Sequence, residues 1–494
     1  MRELYRPTLC VTRSLIAKVM SRPYHPVVKN TLRVLLRIGG VLAVLLGILM
    51  LVSLDLVDHR PYLRESYYAE TMARLRASDG TKVLVRGEFS AGFGKARLTP
   101  TVNAPADIPE KGTFRSLPLA GYGNRKGKPA GGTHDDLFVK AVALKLGDRI
   151  GVMVGADALI IPPEVTAMAT QRLQKEAGLS REQLYLSATH THSSFGGWGE
   201  GMVGEAFAGG FQPGTRIWFS DCIVAAVLDA IEDIKAAQFG HGRFAAPQFV
   251  RNRVVGERGR VDPEFSYIIV KQNQGRIGVL GAFGAHATIL SGNQMEFSGD
   301  YPGCWQRAIE EQTGGMAVFL AGGVGSHSPV PEGKGFAGTE HMGRNLASRL
   351  LEQLPQTPLT NSISFGMLGL EVTLPPFNVR LTDSIRLRPW VAKQLLRTDG
   401  NTFLQTFRLG DVCWVSTPCD FSGELALGIK DSFRARGINV TITSFNGDYV
   451  GYVILPRYYH LDGYEPRTMS FYGQYVPDYF EDIIRAMIPV LADK

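Results

Sequence analysis

The sequence predicts an α/β fold, a mixed α+β domain preceded by one N-terminal transmembrane helix. Three observations carry that prediction. Ile38 to Leu54 is a run of 17 residues without a charge. From about Phe89 onward, apolar runs of strand length alternate with helical patterns. No Pro/Ser-rich linker, internal repeat or low-complexity segment interrupts residues 90–494, so a single domain over 89–494 is the simplest division. With 45% hydrophobic residues, 56 glycines and 27 prolines, the composition is that of a loop-rich globular protein.

Residues 1–37 read as a basic cytoplasmic tail, with Arg2, Arg6, Arg13, Lys18, Arg22, Lys29, Arg33 and Arg37 against one acid, Glu3. That tail accounts for the entire formal charge of +7. The remainder is balanced and offers no basic field to follow a phosphate backbone, which argues against nucleic acid as a partner. Residues 38–54 are the expected membrane anchor. As a helix they reach roughly 26 Å, a little under the usual ~30 Å apolar core, and Arg33 and Arg37 can snorkel to complete the span. A signal peptide competes with this reading, but its basic region would be long and no Ala-x-Ala site precedes Asp55. Positive charge stays on the cytoplasmic side. The expected topology is therefore single-pass, with the N-terminus inside and the chain after Leu54 outside, on the periplasmic face of a bacterial inner membrane or in a eukaryotic type II arrangement.

Residues 55–88 read as a juxtamembrane stalk, with a helix near Arg64 to Ala77 and a turn at Ser78-Asp79-Gly80. In the domain, strands are expected at Ala141–Leu146, Ile150–Val154, Tyr185–Ala188, Tyr267–Val270, Ile277–Phe283, Ala317–Ala321, Ile363–Glu371, Thr402–Leu409, Val412–Ser416 and Val440–Phe445. Helices are expected at Pro163–Ala177, Ile223–Ala236, Trp305–Gln312, Gly343–Leu354 and Glu424–Arg436. Five cysteines with no Cys-x-x-Cys are too few for a disulfide framework. Cys413 and Cys419 can pair in an oxidising compartment, with two separate buried thiols as the alternative.

The segment Ser187-Ala188-Thr189-His190-Thr191-His192-Ser193-Ser194-Phe195-Gly196-Gly197 puts two imidazoles two residues apart where a strand enters a glycine-rich turn. Side chains at i and i+2 share a strand face, so both rings can enter one pocket, and imidazole is a common zinc ligand. Two satisfied core histidines are the plain alternative. Gly281-Ala282-Phe283-Gly284-Ala285-His286 ends one strand in an imidazole, and Thr417-Pro418-Cys419-Asp420 ends another in a carboxylate. Asn252-Arg253 and Ser326-His327-Ser328-Pro329 also follow apolar runs, and sites are commonly built at strand ends. Singly, each has another use: Asp420 as a helix cap, Arg253 in a surface ion pair, Ser328 at a turn.

Taken in order, these segments resemble the neutral ceramidase family over roughly residues 93–480. Leu119-Ala120-Gly121-Tyr122-Gly123 and Thr133-His134-Asp135-Asp136-Leu137 are similar to its upstream elements; Asn252-Arg253, Val261-Asp262-Pro263-Glu264 and Ser298-Gly299-Asp300 are similar to its downstream ones. The resemblance implies a zinc amidase that cleaves the N-acyl bond of ceramide or a related N-acyl lipid. It implies zinc ligands His190, His286, Asp420 and Tyr452. His192 and Arg253 then steer protons and stabilise the oxyanion, and Ser328 stands at the family's essential serine. A lipid substrate and the membrane are the implied partners, with no obligate protein partner. Apolar loops at Phe195–Trp198 and Phe207–Phe211 are candidates for an acyl groove or for ordinary packing.

The sequence departs from the family pattern in three places. The loop Gly325-Ser326-His327-Ser328-Pro329-Val330 replaces Gly-Asp-Val-Ser-Pro-Asn. Asp420 is one methylene shorter than the family's glutamate, so either it or Glu424 one turn later is the carboxylate ligand. No stretch corresponds to the family's C-terminal immunoglobulin-like domain. Hydrolysis of another lipid amide or ester, or a catalytically idle lipid- or partner-binding relative, are the alternatives.

Overall fold

The computed structural model describes residues 26–78, 84–396 and 400–491. The first 25 residues, including Cys10 and most of the expected tail, lie outside that range, as do Asp79 and Gly80 of the expected turn. The chain divides into two compact units, residues 1–56 and 57–494.

In the first unit a helix runs from Pro26 to Ser53. It starts twelve residues before the expected anchor, because Pro26 suits a first helical turn and the chain beyond it is free of helix breakers up to Gly39. Its stretch Asn30–Ser53 has a mean hydropathy of 2.6 and is long and apolar enough to cross a membrane, a property it shares with signal sequences.

The second unit stacks two sheets face to face. One has eight strands in the order Met316–Ala321, Ile277–Phe283, Glu264–Gln272, Lys235–Ala245, Ser90–Arg97, Phe138–Leu146, Arg149–Ala156 and Leu184–Ala188. The other has five: Val85–Glu88, Ser362–Thr373, Asn401–Leu409, Val412–Ser416 and Asn439–Thr443. Period-two alternation decides which side chains meet. Val142, Leu144, Met153, Ile268, Leu280, Val318, Phe365, Phe407 and Trp414 fill the space between the sheets. Their neighbours along the strands point outward. Val139, Ala141, Val152 and Val154 pack under helices Pro163–Ala177 and Pro213–Glu232. Phe265, Val279 and Phe319 pack under Asp300–Thr313 and Gly335–Gln353, and Leu370, Leu404 and Val415 under Gly423–Arg434 and Val476–Val490.

Within the two stacked sheets three strand pairs are parallel, and each is joined by one of these helices: Arg149–Ala156 to Leu184–Ala188, Ile277–Phe283 to Met316–Ala321, and Val412–Ser416 to Asn439–Thr443. The two sheets are stitched together at the carboxyl ends of these strands. Ser187 Oγ donates to Ser444 O at 2.8 Å, Ser416 Oγ to Leu186 O at 2.6 Å, and Ser444 N to Ala321 O at 2.9 Å.

Several elements correct the sequence expectations. Helix Pro213–Glu232 ends before Lys235, and Lys235–Ala245 is a strand rather than the tail of that helix. Its glycines disguise it, yet Gly242 is required there, since a Cβ would lie 2.3 Å from the Tyr267 hydroxyl. Helix Val476–Val490 was not anticipated. The expected stalk is, from Val57 on, part of the second unit. Helix Ser66–Ser78 buries Thr71 and Leu75, Tyr479 and Thr71 hydroxyls are 2.7 Å apart, and Val85–Glu88 pairs with Ser362–Phe365 as a sheet edge. Burial of these apolar and hydroxyl side chains is what turns a presumed spacer into a structural layer. The four described cysteines, Cys222, Cys304, Cys413 and Cys419, are buried and unpaired.

Candidate metal centre

The strand Leu184–Ala188 stops two residues before the first imidazole. His190 adopts a left-handed conformation (φ +60°), which reverses the chain. His190 and His192 therefore reach one pocket through this kink and not through a shared strand face. The ring of His190 is held by stacking on Phe445, with centroids 3.9 Å apart and planes within 7°. Its Nδ1 is 2.6 Å from the Leu159 carbonyl. His286, just past strand Ile277–Phe283, turns Nδ1 toward the Val324 carbonyl at 3.4 Å. Arg125, buried and without a carboxylate partner among its described contacts, donates to the carbonyls of Ala120, His192, Gly292 and Gln294 and fixes the backbone of His192.

The three Nε2 atoms converge. His190 to His286 is 2.9 Å, His192 to His286 3.2 Å, and His190 to His192 3.3 Å. Ligands about 2.0–2.1 Å from a tetrahedral zinc lie roughly 3.3 Å from one another, so these spacings suit a single small cation. Burial pushes the His190 pKa down to about 3 and those of His192 and His286 well below the usual value, with the Arg253 charge acting in the same direction, so all three are neutral acceptors near pH 7. Three neutral ring nitrogens in contact, without a cation between them, place lone pairs or protons against each other. The donor chemistry thus fits a metal.

Asp420 supplies a fourth group from the other sheet. It follows strand Val412–Ser416, and Asp420-Phe421 pairs in parallel with Tyr452-Val453. Its Oδ2 accepts a hydrogen bond from the Tyr449 hydroxyl at 2.8 Å. Oδ1 is buried, forms no hydrogen bond, and faces His190 Nε2 at 3.4 Å and His286 Nδ1 at 3.9 Å. Burial raises the Asp420 carboxyl to about 7, against the Tyr449 hydrogen bond and the Arg253 charge, which lower it. Glu424 is placed elsewhere: its Oε1 accepts from Arg260 N, Arg457 and Tyr458, far from serving the imidazoles.

The other expected residues are partly gathered. The Tyr452 ring lies 6.5 Å from that of His286, centroid to centroid, and its hydroxyl accepts from Arg253 Nη2 at 3.0 Å. Arg253 is held from behind by Glu465 at 2.6 Å. Ser328 lies in the short strand His327–Pro329 opposite Val250–Asn252, where its Oγ accepts from Arg251 Nε at 3.3 Å; its hydrogen bond does not reach the imidazoles. Tyr449 and Phe445 are not among the site residues expected from the sequence; Tyr449 stands three residues before Tyr452.

A cavity of about 500 Å³ reaches this cluster at His190 and Tyr449; its walls are largely apolar, with Leu159, Trp198, Phe207 and Phe471, and also carry Glu164, Glu200, Arg216 and Asp448. Of the two loops expected to form a groove, Trp198 and Phe207 line it. Phe195 instead packs fully buried against Trp218 and Phe219, and Phe211 sits under the Arg216 guanidinium.

Two stacked sheets with histidines and a carboxylate at the carboxyl ends of their parallel strands define an α/β protein with a candidate metal centre. Residues 106–326 match the family model described as neutral/alkaline non-lysosomal ceramidase, N-terminal. A neutral ceramidase of Mycobacterium tuberculosis is 26% identical over 226 residues, covering 41% of this chain and 34% of that protein. A neutral ceramidase of Pseudomonas aeruginosa is 26% identical over 261 residues, covering 49% and 37%. The matched regions thus span about a third of the length of these curated relatives. The crystal structure of neutral ceramidase from Pseudomonas aeruginosa superposes with a TM-score of 0.68 at 20% identity, over 82% of this chain and 75% of that one. A structure described as ceramidase complexed with C2 gives 0.67 at 19% identity, over 81% and 75%. Residues 106–326 are thus similar to the N-terminal part of neutral ceramidases, and the fold is that of the solved neutral ceramidase structures.

Proposed function

We propose that this chain is a membrane-anchored, zinc-dependent amidohydrolase that cleaves the N-acyl amide of ceramide or a related N-acyl lipid, releasing a fatty acid and an amine base. The single observation that carries this reading is the convergence of His190, His192 and His286 Nε2 on one point beside Asp420, with His190 on the wall of a largely apolar cavity. That cavity lies within the 300–1,000 Å³ usual for ligand pockets and suits an acyl chain.

His190, His286, Asp420 and Tyr452 are assigned as the residues that would hold zinc. His190 and His286 turn their second nitrogens to backbone carbonyls, which is how metal-bound imidazoles are oriented. His192 Nδ1, in contrast, is buried without a hydrogen bond, with only the Gly121 backbone close by. We therefore assign His192 to proton transfer: it accepts the proton of the attacking water or hydroxyl and returns it to the leaving nitrogen. Zinc, when bound, supplies a Lewis acid for the amide carbonyl and lowers the pKa of water toward ~7. Arg253, braced by Glu465, directs its guanidinium to the Tyr452 hydroxyl and is assigned to the charge that develops on the carbonyl oxygen. Ser328 is assigned to positioning substrate. Helix Pro26–Ser53 is assigned as a single span, with the second unit outside the cytoplasm, on the periplasmic face of a bacterial inner membrane.

The test is metal content of the purified full chain by elemental analysis, alongside His190→Ala, and release of fatty acid from a panel of N-acyl lipids and esters. About one zinc per chain, lost in the variant, with amide cleavage, is expected. A wild type that stays metal-free after zinc addition would overturn the assignment.

A further inference from the structure

His192 differs from the other two imidazoles in what holds it. His190 and His286 each turn Nδ1 to a backbone carbonyl, whereas His192 Nδ1 is buried and makes no hydrogen bond. A hydrogen bond on one ring nitrogen is the usual means of fixing where the other points. Without it, the rotation of the His192 ring is set by the groups packed against it, and these come from one short loop, residues 119–125. Gly121 closes on the ring so tightly that a Cβ there would lie 2.6 Å from Nδ1. Tyr122 lays its own ring beside the imidazole, with centroids 4.7 Å apart and planes at 52°.

Tyr122 is itself held on both ends. The Arg125 guanidinium lies over its ring, 4.8 Å from the centroid, and the same guanidinium donates to the His192 carbonyl. The Tyr122 hydroxyl donates to Leu290 O at 2.9 Å, tying the loop to the segment that follows His286. The loop backbone is anchored as well, Ala120 N to Ser194 O at 3.0 Å and Gly121 N to Phe207 O at 2.9 Å. Tyr122 is half-buried and belongs to none of the apolar clusters that pack the sheets and helices. Its packing is spent on His192.

We propose that Tyr122 is the positioning residue of His192: its braced ring limits rotation of the imidazole and keeps Nε2 turned to the point it shares with His190 and His286 Nε2. The consequence for proton transfer rests on the amidase reading; the restraint on the ring does not.

Tyr122→Leu and Tyr122→Met remove the ring and keep an apolar side chain, so that one of them serves if the other fails to fold. Tyr122→Phe keeps the ring and removes its hydroxyl. Ring-nitrogen NMR of the full chain in detergent, with isotope-labelled histidine and signals assigned through single His→Gln variants, reads each imidazole separately. In the ring-less variants the His192 signals should shift and broaden while those of His190 and His286, which keep their carbonyl partners, stay in place. Turnover of N-acyl lipid should fall at least roughly tenfold in kcat with KM within about twofold, zinc content should be unchanged, and Tyr122→Phe should recover most of the loss. Unchanged His192 signals overturn the proposal. So does a common shift of all three imidazoles, which would make Tyr122 a packing residue of the whole centre, and so does a kcat loss in Tyr122→Phe equal to that in the ring-less variants. A responsive His192 beside full turnover would overturn the positioning role. A wild type that cleaves no N-acyl lipid, while His192 alone responds to loss of the ring, would refute the amidase reading and leave the restraint standing.

Discussion

Tyr449→Phe isolates how Asp420, the carboxylate proposed to hold the metal, is oriented. The Tyr449 hydroxyl donates to Asp420 Oδ2 at 2.8 Å, leaving Oδ1 directed at His190 Nε2, 3.4 Å away. The substitution removes one oxygen atom and leaves the ring, so packing against the cavity wall and Phe445 is retained. Two effects follow. The carboxylate loses the bond that fixes its rotation, and it loses a hydrogen bond that holds its pKa down, so it binds a proton more readily in competition with a metal. Loss of such a supporting hydrogen bond typically costs 10–100-fold in metal affinity, about 1.4–2.8 kcal/mol. Competition titration against a chromophoric zinc chelator at pH 7.5 measures this, with Asp420→Ala as the reference, which should lose more. A Tyr449→Phe affinity within about twofold of wild type, beside a large loss in Asp420→Ala, would show that the hydroxyl does not orient the ligand. If Asp420→Ala itself binds zinc normally, Asp420 is not a ligand and the argument fails at its base.

Three further outcomes are expected. Gly121→Ala should impair both metal binding and hydrolysis, because Gly121 has φ +101° and a Cβ there would lie 2.6 Å from His192 Nδ1; the same titration reads it, and normal affinity with normal turnover would contradict it. Lys140→Met should destabilise the fold by about 3 kcal/mol, the low end for breaking a buried pair. Lys140 Nζ, fully buried, donates to Glu310 at 2.6 Å and to Ala317 O at 2.9 Å, but Lys95 remains 3.3 Å from Glu310 to share the exposed charge; denaturant unfolding measures it. Asp300→Asn should remove a pH dependence. Burial raises the Asp300 carboxyl from 3.8 to about 6, so the folded state holds its proton more tightly. That stabilisation is complete below pH 3.8 and is lost as pH rises through 6, about 3 kcal/mol in all. The wild type should lose this amount between about pH 4 and pH 7 relative to Asp300→Asn, whose amide tolerates the left-handed backbone at φ +51°. Parallel stability curves for the two proteins would contradict the assignment.

Much of the architecture was legible because its central strands are short continuous apolar runs, buried on both faces. Ile277–Phe283 and Val412–Ser416 match their expected bounds residue for residue, and Pro163–Ala177 opens on proline and closes at Gly178, as a helix should. Lys235–Ala245 was missed because its start was assigned to the preceding helix and Gly240 and Gly242 interrupt its apolar run, whereas each glycine permits a close approach that sequence does not display. Helix Val476–Val490 is a different case. Val476, Tyr479, Phe480, Ile483, Ile484, Met487 and Ile488 repeat at helical spacing, and the signal was present but unused. At the site, His190, His192, His286 and Asp420 were each visible at the end of an apolar run. What brings them together was not, since Phe445 stacking, the Tyr449 bond and the left-handed turn at His190 depend on which strands become neighbours across two sheets.

That dependence explains why the centre lies where it does. In a parallel pair the chain leaves each strand at the same end, and three such pairs in two stacked sheets deliver six loop starts to one seam: those beginning after Ala156, Ala188, Phe283, Ala321, Ser416 and Thr443. Past the ends of the main ladders the seam closes through the short pair Asp420-Phe421 with Tyr452-Val453, through the backbone bond from Ser444 N to Ala321 O, and through the hydroxyls of Ser187, Ser416 and Ser444, each bonded to a carbonyl of another loop or strand. Small hydroxyl residues permit the sheets to approach closely, and that closeness lets His190 and His286 from one sheet meet Asp420 and Phe445 from the other. Three desolvated imidazoles and a buried carboxylate are a poor core by themselves, and a cation held among them, as proposed, would offset that cost. Metal removal should therefore loosen the seam before it unfolds the sheets. Hydrogen exchange in the presence of chelator should rise first at residues 189–193, 286–290 and 420–422 while the strand amides stay protected, and uniform protection with and without chelator would show that the seam is held by its hydroxyls alone.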